Sequence, residues 1–373
     1  MSGMTAEALI EGPRGRRLCL ELLLHAAEGM TDERGWDASW VVTSAGRAFE
    51  SEDGNRYASL ILNSFEDASG GAPVEDPAPG TPRDAAAMLA TITLPARLGA
   101  SALRSALTGS VDAARYWQEP DGLDALVEQP ELRPQLLRVA ELVASSPAAS
   151  WWSEPIDRWS QVTSAPDESW APSRETAAEQ LQRWAERRSA EEQLAQRERS
   201  SDPTANWSGD WWSVPPNSLH RTTRALPGGP YGLDLVEDGF GWDSAEVRQV
   251  STAAGPVIEI TGPEDWAALC RRWPFEVEAS VRHDWYRVTG EARAWVVPDW
   301  SRVAHEAAGV HLTVLGYLRT ATRLIELDGG SASVLAGWNP DATYWLRDGA
   351  REIFDPVRWS RPAHGEDWTA ESS

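Results

Sequence analysis

The stretch Val257-Ile-Glu-Ile-Thr-Gly-Pro-Glu-Asp-Trp-Ala-Ala-Leu-Cys270 decides how this chain is read. Its first four residues form a short run rich in β-branched side chains, which predicts a strand. Gly262 ends that run. Pro263 suits the first position of a helix, where its missing N–H needs no partner. Glu264 and Asp265 then place negative charge at the positive end of the helix dipole. A second helix is predicted from Asp299, with Gly309 as its C-terminal glycine. Around these lie further strand-like runs at 219–223, 233–236, 285–289, 295–297, 310–314, 324–327 and 333–335. Asp328-Gly-Gly supplies a turn between the last two. Strands and helices do not alternate regularly, so a doubly wound fold is not expected. The prediction is an α+β fold whose C-terminal domain, 205–373, holds an antiparallel or mixed sheet and two or more helices.

Upstream the pattern changes to helical spacing. Cys19, Leu22, Leu23 and Ala26 share one helical face, as do Leu132, Leu136, Val139 and Val143. Residues 1–150 are therefore read as a mostly helical domain. Within it, Trp40-Val-Val and 57–62 are read as a hairpin turned at Asp53-Gly54, and 70–82 as a proline- and glycine-rich loop. Residues 151–204 are read as a Trp/Pro-rich connector followed by one long charged helix over 173–200. Ser173 and Thr176 are its candidate caps, and Leu181, Trp184 and Leu194 are its few apolar positions. Such a helix either crosses between domains in solvent or docks a partner.

Composition removes whole chemistries. All 34 basic residues are arginine. Without lysine there is no Schiff base, hence no pyridoxal phosphate, and no P-loop or protein-kinase lysine. The net charge of −23 is spread along the chain. That leaves no basic stripe for nucleic acid and no attraction to anionic membranes. The expected partner is a small-molecule ligand or a protein. Cys19 and Cys270 fall in different predicted domains, which argues against a disulfide framework and for a reducing, cytoplasmic location. The apolar run at 18–24 is too short to span a bilayer.

No metal is expected. His305 and His311 are six apart, whereas a helical zinc site needs four. Two local groupings remain. In Leu219-His-Arg-Thr-Thr-Arg224, a strand puts His220, Thr222 and Arg224 on one face and Arg221 on the other. This is either a polar edge strand or a holder for phosphate or ribose. Arg282-His-Asp-Trp-Tyr-Arg287 packs Arg282, His283, Trp285, Tyr286 and Arg287 into six residues. It is either a salt-bridged strand or a stacking site for a planar ligand. His220, Arg282, His283 and Trp285 are predicted to approach one concavity. Trp242, Trp266, Trp295 and Trp345 are expected in the core. In the pairs Trp151-Trp152 and Trp211-Trp212, one member is expected to line a surface or groove, because strand neighbours point to opposite faces.

Val310-His-Leu-Thr-Val-Leu-Gly-Tyr-Leu318 and Ala336-Gly-Trp-Asn-Pro-Asp-Ala-Thr-Tyr-Trp-Leu346 resemble segments of a tryptophan-rich family of GC-rich actinobacteria, and with Gly262 to Cys270 and Arg282 to Arg287 the likeness covers about 205–348. No activity comes with that family. The C-terminal half is also similar to ADP-ribosyltransferases. That resemblance implies NAD as cofactor and His220 with Thr222 at its ribose. It further implies an aromatic on the nicotinamide from Trp285, Tyr286 or Tyr317, and Glu326 or Asp341 orienting the acceptor. Arg221, Arg224, Arg282, His283 and Arg287 would complete the ligand's surroundings. Two functions follow as expectations. One is an enzyme acting on a nucleotide-like or aromatic small molecule. The other is a non-catalytic module that binds a protein through its tryptophans.

Overall fold

The computed structural model describes residues 4–30, 34–50, 80–166, 175–226, 228–235, 243–362 and 367–371. The helical half comprises α1 (Ala6–Leu9), α2 (Pro13–Glu28), α3 (Arg34–Arg47), α4 (Pro82–Ala90), α5 (Ala100–Asp112), α6 (Gly122–Val127) and α7 (Arg133–Ser145). Helix α2 is its hub, burying Leu18, Cys19, Leu22 and Leu23. Its first turns also bury charge. Arg14 pairs with Asp124, and Arg17 reaches Asp121 at 2.9 Å and Asp124 at 3.0 Å, tying α2 to α6. The carboxylates hold the Arg17 guanidinium firmly charged despite its burial.

Trp40-Val-Val lies in α3 and not in a hairpin. The reason is visible in the packing. Ala38, Val42 and Ala45 are the buried residues of that segment, and their spacing is helical. The proposed hairpin partner 57–62, the Asp53-Gly54 turn, Trp170, Ser173 and Trp242 lie outside the described residues.

The long helix is present as α8 (Ala177–Glu198), closed by a capping box between Thr176 and Glu179. It is anchored along its length and does not cross solvent. Leu181, Trp184, Arg188 and Glu192 are buried, whereas Leu194 is exposed. The Glu192 carboxylate accepts the N–H groups of Ala279 and Ser280, each at 2.9 Å.

The C-terminal half is α+β, built on two mixed sheets. The larger contains β1 (Gln161–Pro166), β2 (Arg221–Arg224), β3 (Ser244–Ser251) and β4 (Val257–Ile260). The smaller contains β5 (Pro274–Glu276), β6 (Ala294–Pro298), β8 (Ile325–Glu326) and β9 (Ser331–Ser333). β7 (Gly309–Leu312), β10 (Thr343–Trp345), β11 (Arg351–Glu352), β12 (Val357–Ser360) and β13 (Thr369–Ala370) complete the larger one. Its strand order is β13-β12-β3-β1-β2-β10-β7-β4, with β11 also on β3. The helices are α9 (Pro263–Arg272), α10 (Glu278–Thr289), α11 (Trp300–Val303) and α12 (Val314–Thr320). Helix α9 begins at Pro263, as its sequence predicts. Helix α11 is capped by Asp299 but lasts only four residues, and Gly309 opens β7 instead of closing that helix.

Residues 285–289 form the end of α10, not a strand. Val281, Trp285 and Val288 are buried, so packing at helical spacing overrides the strand preference of Trp, Tyr and Val. Of the run read as a strand at 233–236, Leu233 ends the 3-10 turn Tyr231–Leu233, and Val236 lies outside the described residues. The two halves share one apolar core. α2 packs on α12, where a side chain at Gly12 would collide with the Leu318 carbonyl.

Candidate functional site

Arg282 to Arg287 is a stretch of α10 whose polar groups bond a neighbouring stretch of backbone. Arg282 Nη1 donates to the Ser200 carbonyl at 2.9 Å. Asp284 Oδ2 accepts the Gly209 N–H at 2.9 Å. Trp285 Nε1 donates to the Trp211 carbonyl at 3.1 Å. Arg287 donates to the carbonyls of Trp207 at 2.6 Å and Trp117 at 2.9 Å, and pairs with Asp284 at 3.1 Å. Burial pushes the Asp284 carboxyl up, against the Gly209 N–H and the Arg287 charge. Burial and then the neighbouring Arg282 charge push His283 down, favouring the neutral ring. This segment therefore works as a row of pegs that fixes residues 200–211. Tyr286 is half-buried beside it.

What the pegs hold is aromatic. The Trp211 ring stacks on Trp212 at 4.5 Å and 12°, on Trp117 at 5.0 Å and on Tyr116 at 5.5 Å. The pair is not in a strand and its rings do not diverge. They lie against one another, with Trp211 half-buried and Trp212 38% exposed. Gly337, at φ +81°, carries the chain under Trp212, where any Cβ would strike the indole. Trp207 is 44% exposed. The Arg287 guanidinium joins the Trp207 and Trp117 carbonyls, which brings the Trp207 backbone beside the stack.

The second grouping lies on one face of the large sheet. Register places Glu259, His311, Thr343 and Thr222 side by side across β4, β7, β10 and β2. His311 is buried between carboxylates, with Glu259 Oε2 2.5 Å from Nδ1 and Asp341 Oδ1 3.4 Å from Nε2. Burial opposes its charge, but the bonds to Asp341 and Glu259 outweigh burial and push it up to about 9. Asp341 sits at φ +59°, a left-handed conformation that Asp tolerates better than most residues. There its other oxygen accepts the Arg224 N–H at 2.7 Å. The Thr222 hydroxyl donates to Gln161 at 2.7 Å and accepts from Trp345 Nε1 at 3.0 Å. Arg224 bonds Glu154 at 3.1 Å and the Pro155 carbonyl at 3.2 Å, and stacks over Trp151. The Ile156 N–H closes the layer by donating to Glu259 at 3.1 Å. Both ring nitrogens of His311 face carboxylates, so this layer holds a charge and does not present a free base.

The structure thus brings Thr222, Arg224 and Asp341 together, and adds Glu259 and His311, which the sequence reading passed over. It places the other candidates elsewhere. His220 precedes β2. Burial lowers its pKa, and the charge that opposes this is Glu352. The charges acting on His283 are those of Arg282, Arg287 and Arg199. Arg221 lies on the opposite face of β2, in register with Tyr344. Tyr317 is buried in α12. Glu326 is exposed on β8, 3.6 Å from Arg293. A cleft of about 550 Å³ takes in Arg282, Glu278, Glu291 and Arg293, but not His220, His283 or Trp285. Among the described residues, no cluster of three or more metal-binding side chains is present, and no helix is long and apolar enough to cross a membrane. Comparison with protein-family models, with curated proteins and with solved structures finds no match to this chain.

Proposed function

We propose that this chain is a binding module that takes a protein partner on the platform of Trp117, Trp207, Trp211 and Trp212. The observation that carries this reading is the direction of the pegs. Arg282, Asp284, Trp285 and Arg287 turn their polar groups inward onto backbone, and of the four indoles Trp207 and Trp212 remain exposed while Trp117 and Trp211 are half-buried. Rigid, partly exposed indoles lose little entropy on binding, which suits them as anchors for an apolar or aromatic side chain. The enzymatic alternative, with NAD-dependent ADP-ribosyl transfer as its most concrete form, rests on the resemblance around His220 and Thr222.

The test compares the two by indole ¹⁵N NMR. A panel of short peptides bearing exposed aromatic or apolar anchors should shift the Trp207, Trp211 and Trp212 indole signals. Arg287→Ala should abolish those shifts by freeing the segment, while the fold persists. Saturable binding of NAD that moves Trp345 and leaves the platform untouched would replace this reading with the enzymatic one.

A further inference from the structure

The platform's own chemistry narrows its partner, and the inference that follows rests on the binding reading above. The face of an indole carries negative π potential and attracts cations, arginine most of all because its planar guanidinium also stacks. This chain already uses that contact internally. Guanidinium groups lie 4.4 Å from the Trp273 ring centroid, 4.7 Å from Trp368 and 5.2 Å from Trp151. Among the described residues none lies over Trp207 or Trp212. Three arginines packed on residues 207–211 are engaged elsewhere. Arg287 is bonded to two carbonyls and Asp284, Arg188 to Asp210, and Arg199 to Glu191 and the Ser280 carbonyl. Over its whole length the chain carries 57 acidic against 34 basic residues. A basic partner is drawn toward a molecule of this net charge and an acidic one is repelled.

We infer that the occupant of the Trp207–Trp212 platform is an arginine-bearing, extended segment of a basic protein partner, held by guanidinium-on-indole stacking.

A chain of this charge attracts any polycation, so the experiment must separate stacking from general attraction. The full-length protein is titrated by calorimetry and indole NMR with three peptides of equal length. One alternates arginine with glycine, one replaces each arginine by the uncharged isostere citrulline, and one carries neutral aromatic anchors. The same titrations are run on Trp207→Leu and Trp212→Leu, which leave the net charge unchanged. The arginine peptide should bind the wild type with shifts at Trp207 and Trp212, about tenfold more tightly than either the citrulline peptide or the variants. Trp207→Leu keeps the test decisive if Trp212→Leu disturbs folding. Equal affinity for wild type and variants would overturn the inference, because binding would then be charge attraction alone. Equal or tighter binding of the neutral aromatic peptide at the same indoles would overturn it while leaving the platform reading intact. Failure of all three peptides to move the platform signals would overturn both.

Discussion

His311→Gln tests the electrostatics of the sheet face most directly. The imidazole is buried between Glu259 and Asp341, and these partners push it up to about 9 from 6.5. The folded value exceeds the unfolded one, so the stabilisation is fully present below about 6.5 and is lost as pH rises through about 9. At about 1.4 kcal/mol per pH unit, that interval corresponds to roughly 3 kcal/mol. Glutamine is of similar size and can still donate from its amide nitrogen, but it removes the charge and one of the two donors. It leaves the buried Asp341 and the partly exposed Glu259 carboxylates without their cation, a loss of about 3 kcal/mol at neutral pH. Urea unfolding followed by tryptophan fluorescence, repeated from pH 6 to 9, gives the comparison. Wild-type stability should fall by about 3 kcal/mol relative to the variant over that range, because the other titrating groups are common to both. Parallel pH dependences for the two proteins, or an imidazole that titrates near 6.5 by NMR, would refute this account of the cluster.

Two further outcomes follow from packing. Gly12→Ala should destabilise the whole chain by about 2–4 kcal/mol, since its Cβ meets the backbone carbonyls of Leu318 and Arg319 where the halves join; a melting temperature within a degree of wild type would contradict that. Cys19 and Cys270 are free and buried, and burial pushes the Cys270 thiol up to about 12, so neither should react with a thiol reagent at neutral pH until the protein is unfolded, with two equivalents then titrating.

The parts of this fold legible in the sequence are those set by local spacing. Gly262-Pro263 marks the start of α9 because a proline at the first helical position is a local constraint. Leu136, Val139 and Val143 are buried on one face of α7 as their spacing requires. Some of the strands not legible in the sequence are ones whose pairing is remote. β1 lies in a Trp/Pro/Ser-rich stretch and is held by β2 and β3, which arrive about 60 and 80 residues later. β3 did carry a signal, since Ala245 and Val247 are buried while Glu246 and Arg248 are not, a period of two that a strand half-covered on one face produces.

The candidate site divides along the same line. Thr222, Arg224 and Asp341 do converge, but spacing relates His311 only to His305, six residues earlier, a pair that makes no metal motif. Its actual partners are Glu259, 52 residues earlier, and Asp341, 30 later. No spacing rule connects three residues that meet only once β4, β7 and the turn before β10 have assembled. The Arg282 to Arg287 segment shows the converse error. Its density of cations and aromatics reads as a salt-bridged strand or a stacking site, but the segment is helical, and composition does not say whether the groups face a ligand or the chain itself. Here they face the chain, holding the backbone of Trp207 and Trp211, while Trp207 and Trp212 stay exposed.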